Sequence, residues 1–485
     1  MSSYPDEKKS DIYKNENVEA SDDVSDIVEY SEAEQLKIVH RIDRRLVIIT
    51  GVIYCISIID RSNVGSAAVA GMTRDLKMNV ENNAYSIITL VFFVTYVFFE
   101  APGVIGCRKF GPRVFLPVIC LLWGACVTCM GLVKTWQQLL GMRLILGALE
   151  AGYFPGASYL LSTWYDRYEL GRRFAGFYVI GSVANAFTGI MAYGLMQMNG
   201  IAGLEGWRWI FIIEGLLTCV IAVAGYIFIP PFPDDPNAHK TWGFLNRSEV
   251  NYVIRKVEAD RGDSQLEPFT IARFLRGGKD WKCYVFGMLI CMATIPAYAL
   301  AYFMPIILNQ GMGYSVAKAQ LMTAPPYITQ AVYQLAFGFI SDKYKARGPF
   351  IIWNCLVQII GITVMGWGKG NGVRYFGVIV LCCGMAANLP IIFTYQSNNV
   401  RGQWKRAFSS TIMVSMAAVG GIIGSLVFRP QDAPSYRPGL TTCLTGAVLT
   451  LITTSFLIVY FKWVNKKADR GEMVLEESES FRYTI

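Results

Sequence analysis

Twelve blocks of apolar residues follow one another along this chain, each near the roughly 20 residues that an α-helix needs to cross a bilayer. They lie at about 46–69, 84–105, 114–132, 137–160, 173–196, 209–230, 283–308, 318–341, 349–367, 374–396, 407–428 and 440–461. Blocks of this length are unlike the short alternating strands of an outer-membrane barrel. Only 16% of the residues are charged, against about 25% in soluble proteins. We therefore expect an all-α membrane protein with twelve transmembrane helices.

The basic residues collect in alternate loops. Four short loops carry three basic residues each: Arg108, Lys109 and Arg113; Arg167, Arg172 and Arg173; Lys343, Lys345 and Arg347; Arg401, Lys405 and Arg406. Cytosolic loops are enriched in Lys and Arg, so these loops are predicted to face the cytosol. Both termini are then cytosolic, and the protein is multi-pass.

A long polar segment divides the twelve blocks into two sets of six with weak internal repetition, as in secondary transporters. We predict a disordered cytosolic tail at 1–40, a six-helix half at 41–230, a cytosolic central loop at 231–282, a second six-helix half at 283–463 and a cytosolic tail at 464–485. Ser31 with Glu34, and Asn246 with Glu249, have the spacing of helix-capping pairs.

Several classes of function find no support in the sequence. The sequence contains no Walker A loop, so ATP is not the expected energy source. The twelve cysteines show no disulfide framework and no metal-ligand spacing. The basic residues do not suggest nucleic-acid binding. Both histidines, His40 and His239, lie outside the apolar blocks, so a carboxylate must carry any coupled proton. We expect no metal, no cofactor and no enzymatic activity.

Charged residues inside apolar blocks are the candidates for function. Asp60 and Arg61 interrupt the first block, Arg143 and Glu150 the fourth, and Glu214 the sixth. An ionised group at bilayer mid-depth costs roughly 2.5–3.5 kcal/mol on insertion scales. Arg143 and Glu150 are seven residues apart and share nearly one helix face. Two interpretations stay open: structural ion pairs between helices, or a pathway for an anion and a proton.

Several motifs resemble known families. The motif Gly338-x-x-x-Asp342-Lys343-x-x-x-Arg347 resembles the loop signature of the major facilitator superfamily. The anion:cation symporter family is suggested by Arg61-x-Asn63-x-Gly65 and Arg143-x-x-x-Gly147-x-x-Glu150-x-x-x-x-Pro155. The fungal allantoate permease branch is suggested by Asp60-Arg61-Ser62-Asn63, YALAYFMPIIL at 298–308, RGQWKRAFSS at 401–410 and FRPQDAPSYRPG at 428–439. Within that branch, GVRYFGV at 372–378 and AQLMTAPPY at 319–327 are most similar to nicotinic acid transporters.

The resemblance implies the major facilitator fold and roles for the charged residues. Arg61 is expected to grip a substrate carboxylate through its planar guanidinium, and Arg143 to make a second anion contact. Asp60 is either a proton carrier or the neutralising partner of Arg61, and Arg143 has an ion pair with Glu150 as its structural alternative. Glu150 is the predicted proton carrier. Glu214 is expected to brace helix packing.

Further polar residues are predicted to line a cavity or a gate. The predicted substrate contacts, beside Arg61 and Arg143, are Asn63, Tyr298, Tyr302, Asn388, Tyr395 and Gln396. Asp342 and Arg347 are assigned to gating. Two positions depart from the branch pattern: Tyr395 stands where many members have Trp, and Ala418 where the usual residue is Asn.

The expected function is a proton-coupled symporter that imports a small organic monocarboxylate across the fungal plasma membrane by alternating access. The leading substrate is nicotinate, which would make this a vitamin-uptake protein, followed by allantoate, pantothenate and related organic anions. Its partners would be the substrate anion, protons and the lipid bilayer, with the monomer as the functional unit. A passive or exporting carrier and a nutrient sensor are the alternatives.

Overall fold

A computed structural model describes residues 30–78, 83–165, 167–235, 244–262, 275–344, 346–401, 403–476 and 481–485. The predicted tail at 1–40 therefore lies outside the described residues as far as residue 29. Its last part forms helix α1, Glu32–Ile42. The Ser31 amide donates to Glu34 Oε2 at 2.9 Å, which confirms the predicted capping pair.

The first half of the chain contains six predicted spans built from seven helices. They are α2, Ile48–Ala67; α3, Ala84–Phe110; α4, Pro112–Met130; α5, Trp136–Glu150; α6, Tyr153–Trp164; α7, Arg167–Met196; and α8, Gly206–Phe228. After them the central segment forms helix α9, Arg247–Gly262. The Asn246 amide donates to Glu249 Oε2 at 2.9 Å, so the second predicted capping pair is also present.

The second half repeats this arrangement. Its helices are α10, Trp281–Ile306; α11, Val316–Leu321; α12, Ala324–Tyr344; α13, Gly348–Trp367; α14, Asn371–Asn399; α15, Gln403–Val427; and α16, Arg437–Asp469. In the described residues, ten helical spans are long and apolar enough to cross a membrane. The remaining two predicted spans form helices α2 and α12. The predicted all-α membrane fold with two six-helix halves is confirmed.

The fourth predicted span is broken beside Glu150, where α5 ends and α6 begins. Pro155 has no backbone N–H and cannot bond to the carbonyl of Ala151, so the helical ladder is interrupted there. Gly152 lies against Gly103 of α3, where an added Cβ would stand 2.9 Å from the Gly103 Cα. The break therefore places the end of α5, with its carboxylate, close to the neighbouring helices.

The two halves meet closely at one end of the bundle. We call this end the distal pole, and the end that carries α1, α9 and residues 464–476 and 481–485 the terminal pole. At the distal pole Gln320 Nε2 donates to the Ser66 carbonyl at 2.8 Å, and Tyr85 Oη to the Tyr302 carbonyl at 2.8 Å. A Cβ on Gly65 would lie 2.4 Å from the Tyr302 oxygen, so only glycine permits this approach.

The terminal pole of the second half is tied together by the end of the chain. The Thr484 amide donates to Asn399 Oδ1 at 2.7 Å, and the Arg347 amide to the Ile485 carbonyl at 2.8 Å. The ring of Tyr483 stacks on Phe461 at 4.6 Å between centroids. Residues 481–485 therefore connect the ends of α13, α14 and α16.

A buried ionic cluster around Glu476 also stabilises the terminal pole of the second half. Glu476 forms an ion pair with Lys282, at the start of α10, and another with Lys405, near the start of α15. Burial opposes ionisation of Glu476, but the hydrogen bonds from the two lysines outweigh it, and the pKa of this carboxyl is lowered from 4.5. Its stabilising contribution is therefore present above pH 4.5 and is lost as the pH falls through the lowered pKa.

We predict that Tyr483→Ala destabilises the folded protein by about 3–5 kcal/mol, because the lost ring stacks on Phe461 and its hydroxyl donates to Glu476. Thermal unfolding of the purified chain in detergent measures this change. Glu472→Ala is the matched control, since its ion pair with Arg470 is exposed and contributes about 1 kcal/mol at most. Equal melting temperatures for the two variants would show that the segment does not stabilise the second half.

Candidate functional site: a charged cavity between the halves

An ion pair between Arg61 of α2 and Glu150 of α5 forms the centre of the site. Arg61 Nη2 donates to Glu150 Oε1. The Glu150 side chain is 1% exposed and that of Arg61 15%. Ser57, one helical turn before Arg61, donates from Oγ to the same carboxylate oxygen at 2.6 Å. The pair is thus enclosed by protein on the Glu150 side and accessible on the Arg61 side.

The Arg61 guanidinium is held in position by aromatic rings. Its Cζ lies 5.1 Å from the ring centroid of Phe92 and 5.2 Å from that of Tyr96, both on α3. Such contacts stabilise a partly desolvated cation without neutralising it. Arg61 Nη1 also donates to Tyr298 Oη at 3.4 Å, which belongs to α10 in the second half. One arginine therefore contacts a carboxylate in its own half and a phenol in the other.

Arg61 and Glu150 line a cavity of about 220 Å³ between the halves. Ligand pockets for drug-sized molecules measure about 300–1,000 Å³, so this cavity suits a small metabolite. Its wall is mostly apolar and aromatic. The aromatic lining residues are Tyr54, Phe93, Tyr96, Tyr153, Phe154, Tyr298, Tyr327 and Phe393. In the described part of the chain, Arg61 and Glu150 are the charged residues of this lining.

Arg143 lies behind the cavity wall and not in it. Its Nη2 donates to Asn63 Oδ1 at 3.2 Å, and Asn63 Nδ2 donates to Glu214 Oε2 at 3.0 Å. All three side chains are at most 1% exposed. The amide of Asn63 therefore connects a buried guanidinium on α5 to a buried carboxylate on α8. The bracing role of Glu214 stays a prediction.

Asp60 belongs to the same buried layer. Its Oδ2 accepts a hydrogen bond from Trp123 Nε1 at 3.2 Å and from Thr218 Oγ1 at 2.7 Å. Thr218 stands one turn after Glu214 on α8, so the face of α8 that carries Glu214 also contacts the Asp60 carboxylate. Within the described ranges, no group of three or more His, Cys, Asp or Glu residues is arranged to hold a metal ion.

Two structural alternatives from the sequence are wrong in this structure. Glu150 pairs with Arg61 and not with Arg143, because α2 contributes the nearer guanidinium where α5 ends. Asp60 does not neutralise Arg61, since consecutive residues on a helix point about 100° apart. Arg61 faces the cavity, whereas Asp60 faces α4 and α8.

The predicted substrate contacts divide into two groups. Arg61 and Tyr298 line the cavity, and the other predicted contacts do not line it. Those others are Asn63, Arg143, Tyr302, Asn388, Tyr395 and Gln396, each at most 2% exposed. Tyr395, for example, packs against Phe286 and Phe461, with ring centroids 5.4 and 6.0 Å away. These six side chains are buried among the helices in this structure, and their contact with a substrate stays a prediction.

The predicted gating pair is present at the terminal pole. Arg347 Nη2 lies 2.6 Å from Asp342 Oδ1, and Arg347 Nη1 donates to Ser341 Oγ at 2.8 Å. This ion pair joins the end of α12 to the start of α13. Its role in gating stays a prediction.

The cavity wall also contains a group of neutral polar residues that the sequence did not predict. They are Ser57, Ser182, Asn185, Gln330 and Gln334. Gln330 and Gln334 are four residues apart, so they share one face of α12. That spacing inside an apolar block was the signal that could have identified them.

Comparison with known proteins identifies the family. The sequence matches the Major Facilitator Superfamily over residues 50–425, which is most of the chain. The chain therefore belongs to the major facilitator superfamily, whose members are membrane transporters and not enzymes.

Similar proteins occur in fungi. The chain is 31% identical to the MFS-type transporter cnsO of Penicillium expansum, over 94% of this chain and 88% of that protein. It is 29% identical to the high-affinity nicotinic acid transporter of Saccharomyces cerevisiae, over 95% of this chain and 84% of that one. The fold is similar to the inward open xylose transporter XylE from E. coli, with a TM-score of 0.66 and 13% identity, covering 83% of this chain and 94% of that one.

A double-mutant cycle tests the ion pairing. We predict that Arg61→Met and Glu150→Met each destabilise the fold by about 3–5 kcal/mol, because each leaves a partly buried charge without its partner. The double variant should lose less than the sum, with a coupling of about 0.5–3 kcal/mol in thermal unfolding. The control cycle pairs Arg143→Met with Glu150→Met and should show a weaker coupling, because the ion pair of Glu150 is with Arg61. Stronger coupling to Arg143 than to Arg61 would contradict the described pairing.

Proposed function

We propose that this transporter is a proton-coupled symporter that imports a small organic monocarboxylate, with nicotinate as its leading substrate. The observation that carries the proposal is the Arg61–Glu150 pair in the wall of a cavity between the halves. Allantoate, pantothenate and other organic anions are the alternative substrates.

Arg61 is suited to bind a carboxylate. A guanidinium stays charged at any physiological pH and offers parallel N–H donors to two oxygens. Arg61 already holds one carboxylate, that of Glu150, and its remaining accessible surface faces the cavity. A substrate carboxylate can therefore bind the same guanidinium and compete with Glu150.

Charge balance links this competition to a proton. The unloaded pair is neutral, with one cation and one anion. A second carboxylate about 4 Å from the first would raise the free energy by about 4 kcal/mol at an effective dielectric constant near 20. Proton binding to Glu150 removes this repulsion and restores neutrality. One proton would then enter with each monoanion, and loaded transport would be electroneutral.

Contacts between the halves support alternating access. Tyr298 connects the second half to Arg61, while the hydrogen bonds of Tyr85 and Gln320 close the distal pole. Substrate binding at Arg61 would change the contact to Tyr298, and so the relation between the halves. Rocking of two repeated halves about a central site is the usual mechanism of secondary transporters.

The shape and lining of the cavity support a flat aromatic acid. Rings from both halves, such as Phe93 and Tyr298, lie 4.7 Å apart between centroids in an edge-to-face arrangement. Aromatic side chains of this kind can stack on a planar ring near the arginine. The similarity to a nicotinic acid transporter makes nicotinate the first acid to test.

We place the terminal pole in the cytosol and the protein in the plasma membrane. The basic loops described above begin or end at the terminal pole, in agreement with the positive-inside rule. The hydrogen bonds of Tyr85 and Gln320 at the distal pole would then close the cavity on the side outside the cell. A passive or exporting carrier would use Glu150 only as a structural partner, and a sensor would bind the acid without moving it.

Transport in proteoliposomes tests the coupling. We predict that the wild-type chain accumulates labelled nicotinate when an inward proton gradient is applied. Glu150→Gln should still exchange nicotinate across the membrane but should not accumulate it, because the amide mimics a carboxyl that never releases its proton. Glu214→Gln is the control, since this carboxylate is buried outside the cavity, and it should retain accumulation.

Two outcomes would contradict the proposal. Accumulation driven by the proton gradient in Glu150→Gln would remove this residue from coupling. Equilibration of nicotinate by the wild-type chain, without accumulation under the proton gradient, would favour a passive carrier. Retention of exchange by Glu150→Gln would also separate a coupling role from a purely structural one, which predicts loss of both activities.

A further inference from the structure

Three neutral side chains form a second polar region of the cavity, contributed by both halves. Gln330 Nε2 donates to Ser182 Oγ at 2.9 Å, and Ser182 Oγ donates to Gln334 Oε1 at 3.0 Å. Ser182 lies on α7, and the two glutamines lie one turn apart on α12. We call these three residues the amide wall.

The amide wall has hydrogen-bonding capacity that the protein does not use. The three side chains are at most 6% exposed. Gln330 Oε1 is buried and has no hydrogen-bond partner among the described residues. Leaving a buried polar atom unpaired is unfavourable, and native proteins do so rarely without a functional reason. Because Gln330 lines the cavity, a bound molecule can supply the missing partner.

The chemistry of the wall restricts what that partner can be. An amide offers both donors and an acceptor, and rotation of Gln330 can present either one to the cavity. The charged residues in the described lining are Arg61 and Glu150. A second charge on the substrate would therefore have no counterion at the amide wall, whereas a ring nitrogen, carbonyl or amide would be matched.

We propose that the amide wall binds an uncharged hydrogen-bonding group at the end of the substrate away from its carboxylate. This inference rests on the proposed function, in which Arg61 binds the carboxylate. The transporter would then select monocarboxylates that carry one neutral polar group and would discriminate against purely apolar acids and against dicarboxylates. A site built to hydrogen-bond a substrate group rejects analogues that lack that group far more strongly than an apolar pocket does.

The location of the wall also connects substrate recognition to both halves. Arg61 and Ser182 belong to the first half, and Gln330 and Gln334 to the second. A substrate held at Arg61 and at the amide wall would contact both halves at once. An acid without the neutral polar group would contact the second half through its aromatic residues alone.

Binding of two ring acids to the purified full-length chain tests the inference. Nicotinate and benzoate have the same carboxylate and a similar ring, but only nicotinate has a ring nitrogen. We expect the wild-type chain to bind nicotinate at least about tenfold more tightly than benzoate, as the loss of one good hydrogen bond to a buried group implies. Gln330→Met should reduce this ratio to near one by weakening nicotinate alone.

Two further variants complete the test. Gln358→Met is the matched control, because Gln358 is a buried glutamine of the second half that does not line the cavity. It should keep the wild-type ratio. Ser182→Ala should lower the ratio as Gln330→Met does, and it serves if the methionine variant does not fold.

The outcomes separate this inference from the proposed function. A wild-type chain that binds both acids equally, or a Gln330→Met variant with an unchanged ratio, would overturn the amide wall while leaving the carboxylate site at Arg61 intact. A chain that binds neither acid would overturn both the wall and the proposed substrate. Tight binding of a dicarboxylate such as phthalate would overturn the predicted selection against a second charge.

Discussion

The ion pair between Arg61 and Glu150 is the interaction on which the proposed function depends. Two charges are brought to the middle of an apolar bundle, where each alone would be costly. They are stabilised by each other, by Ser57 and by the rings of Phe92 and Tyr96. Because Arg61 also faces the cavity, any anion that binds it changes the partner of Glu150. The same contact therefore stabilises the unloaded protein and can respond to substrate.

The two halves contribute different chemistry. In the described part of the first half, the buried charges lie on α2, α5 and α8, in the cavity pair and in the layer of Asp60, Arg143 and Glu214 behind it. In the described part of the second half, the buried charges lie in the Glu476 cluster at the terminal pole, and the polar groups buried nearer the cavity are amides and hydroxyls, such as Gln330 and Asn388. The first half would therefore hold the anion and the proton. The second half would recognise the neutral part of the substrate.

Much of the fold followed from the sequence because its signals are local. Apolar blocks of bilayer length predicted the spans, and the capping pairs at Ser31 and Asn246 form as expected. Arg61 and Glu150 were identifiable since charged residues in apolar blocks are rare and costly. The pairing of these two residues could not be identified from the sequence, because the partner of Glu150 depends on how α2 approaches the break between α5 and α6.

Local sequence patterns also could not predict which side chains face the cavity. Asn388 and Tyr395 are polar or aromatic residues at plausible positions, but the rotation of α14 turns both into the bundle. That rotation is decided by packing against α13 and the neighbouring helices. The glutamines of α12 were overlooked for another reason: an uncharged amide interrupts an apolar block less visibly than a charge does.

Proton uptake on substrate binding tests the central claim most directly. Purified transporter in weakly buffered solution near neutral pH is mixed with nicotinate, and a pH indicator reports the protons taken up. The account predicts about one proton for each nicotinate bound by the wild-type chain, as charge balance at Arg61 requires, and none for Glu150→Gln. Nicotinate binding to the wild-type chain without proton uptake, or equal uptake by Glu150→Gln, would contradict it.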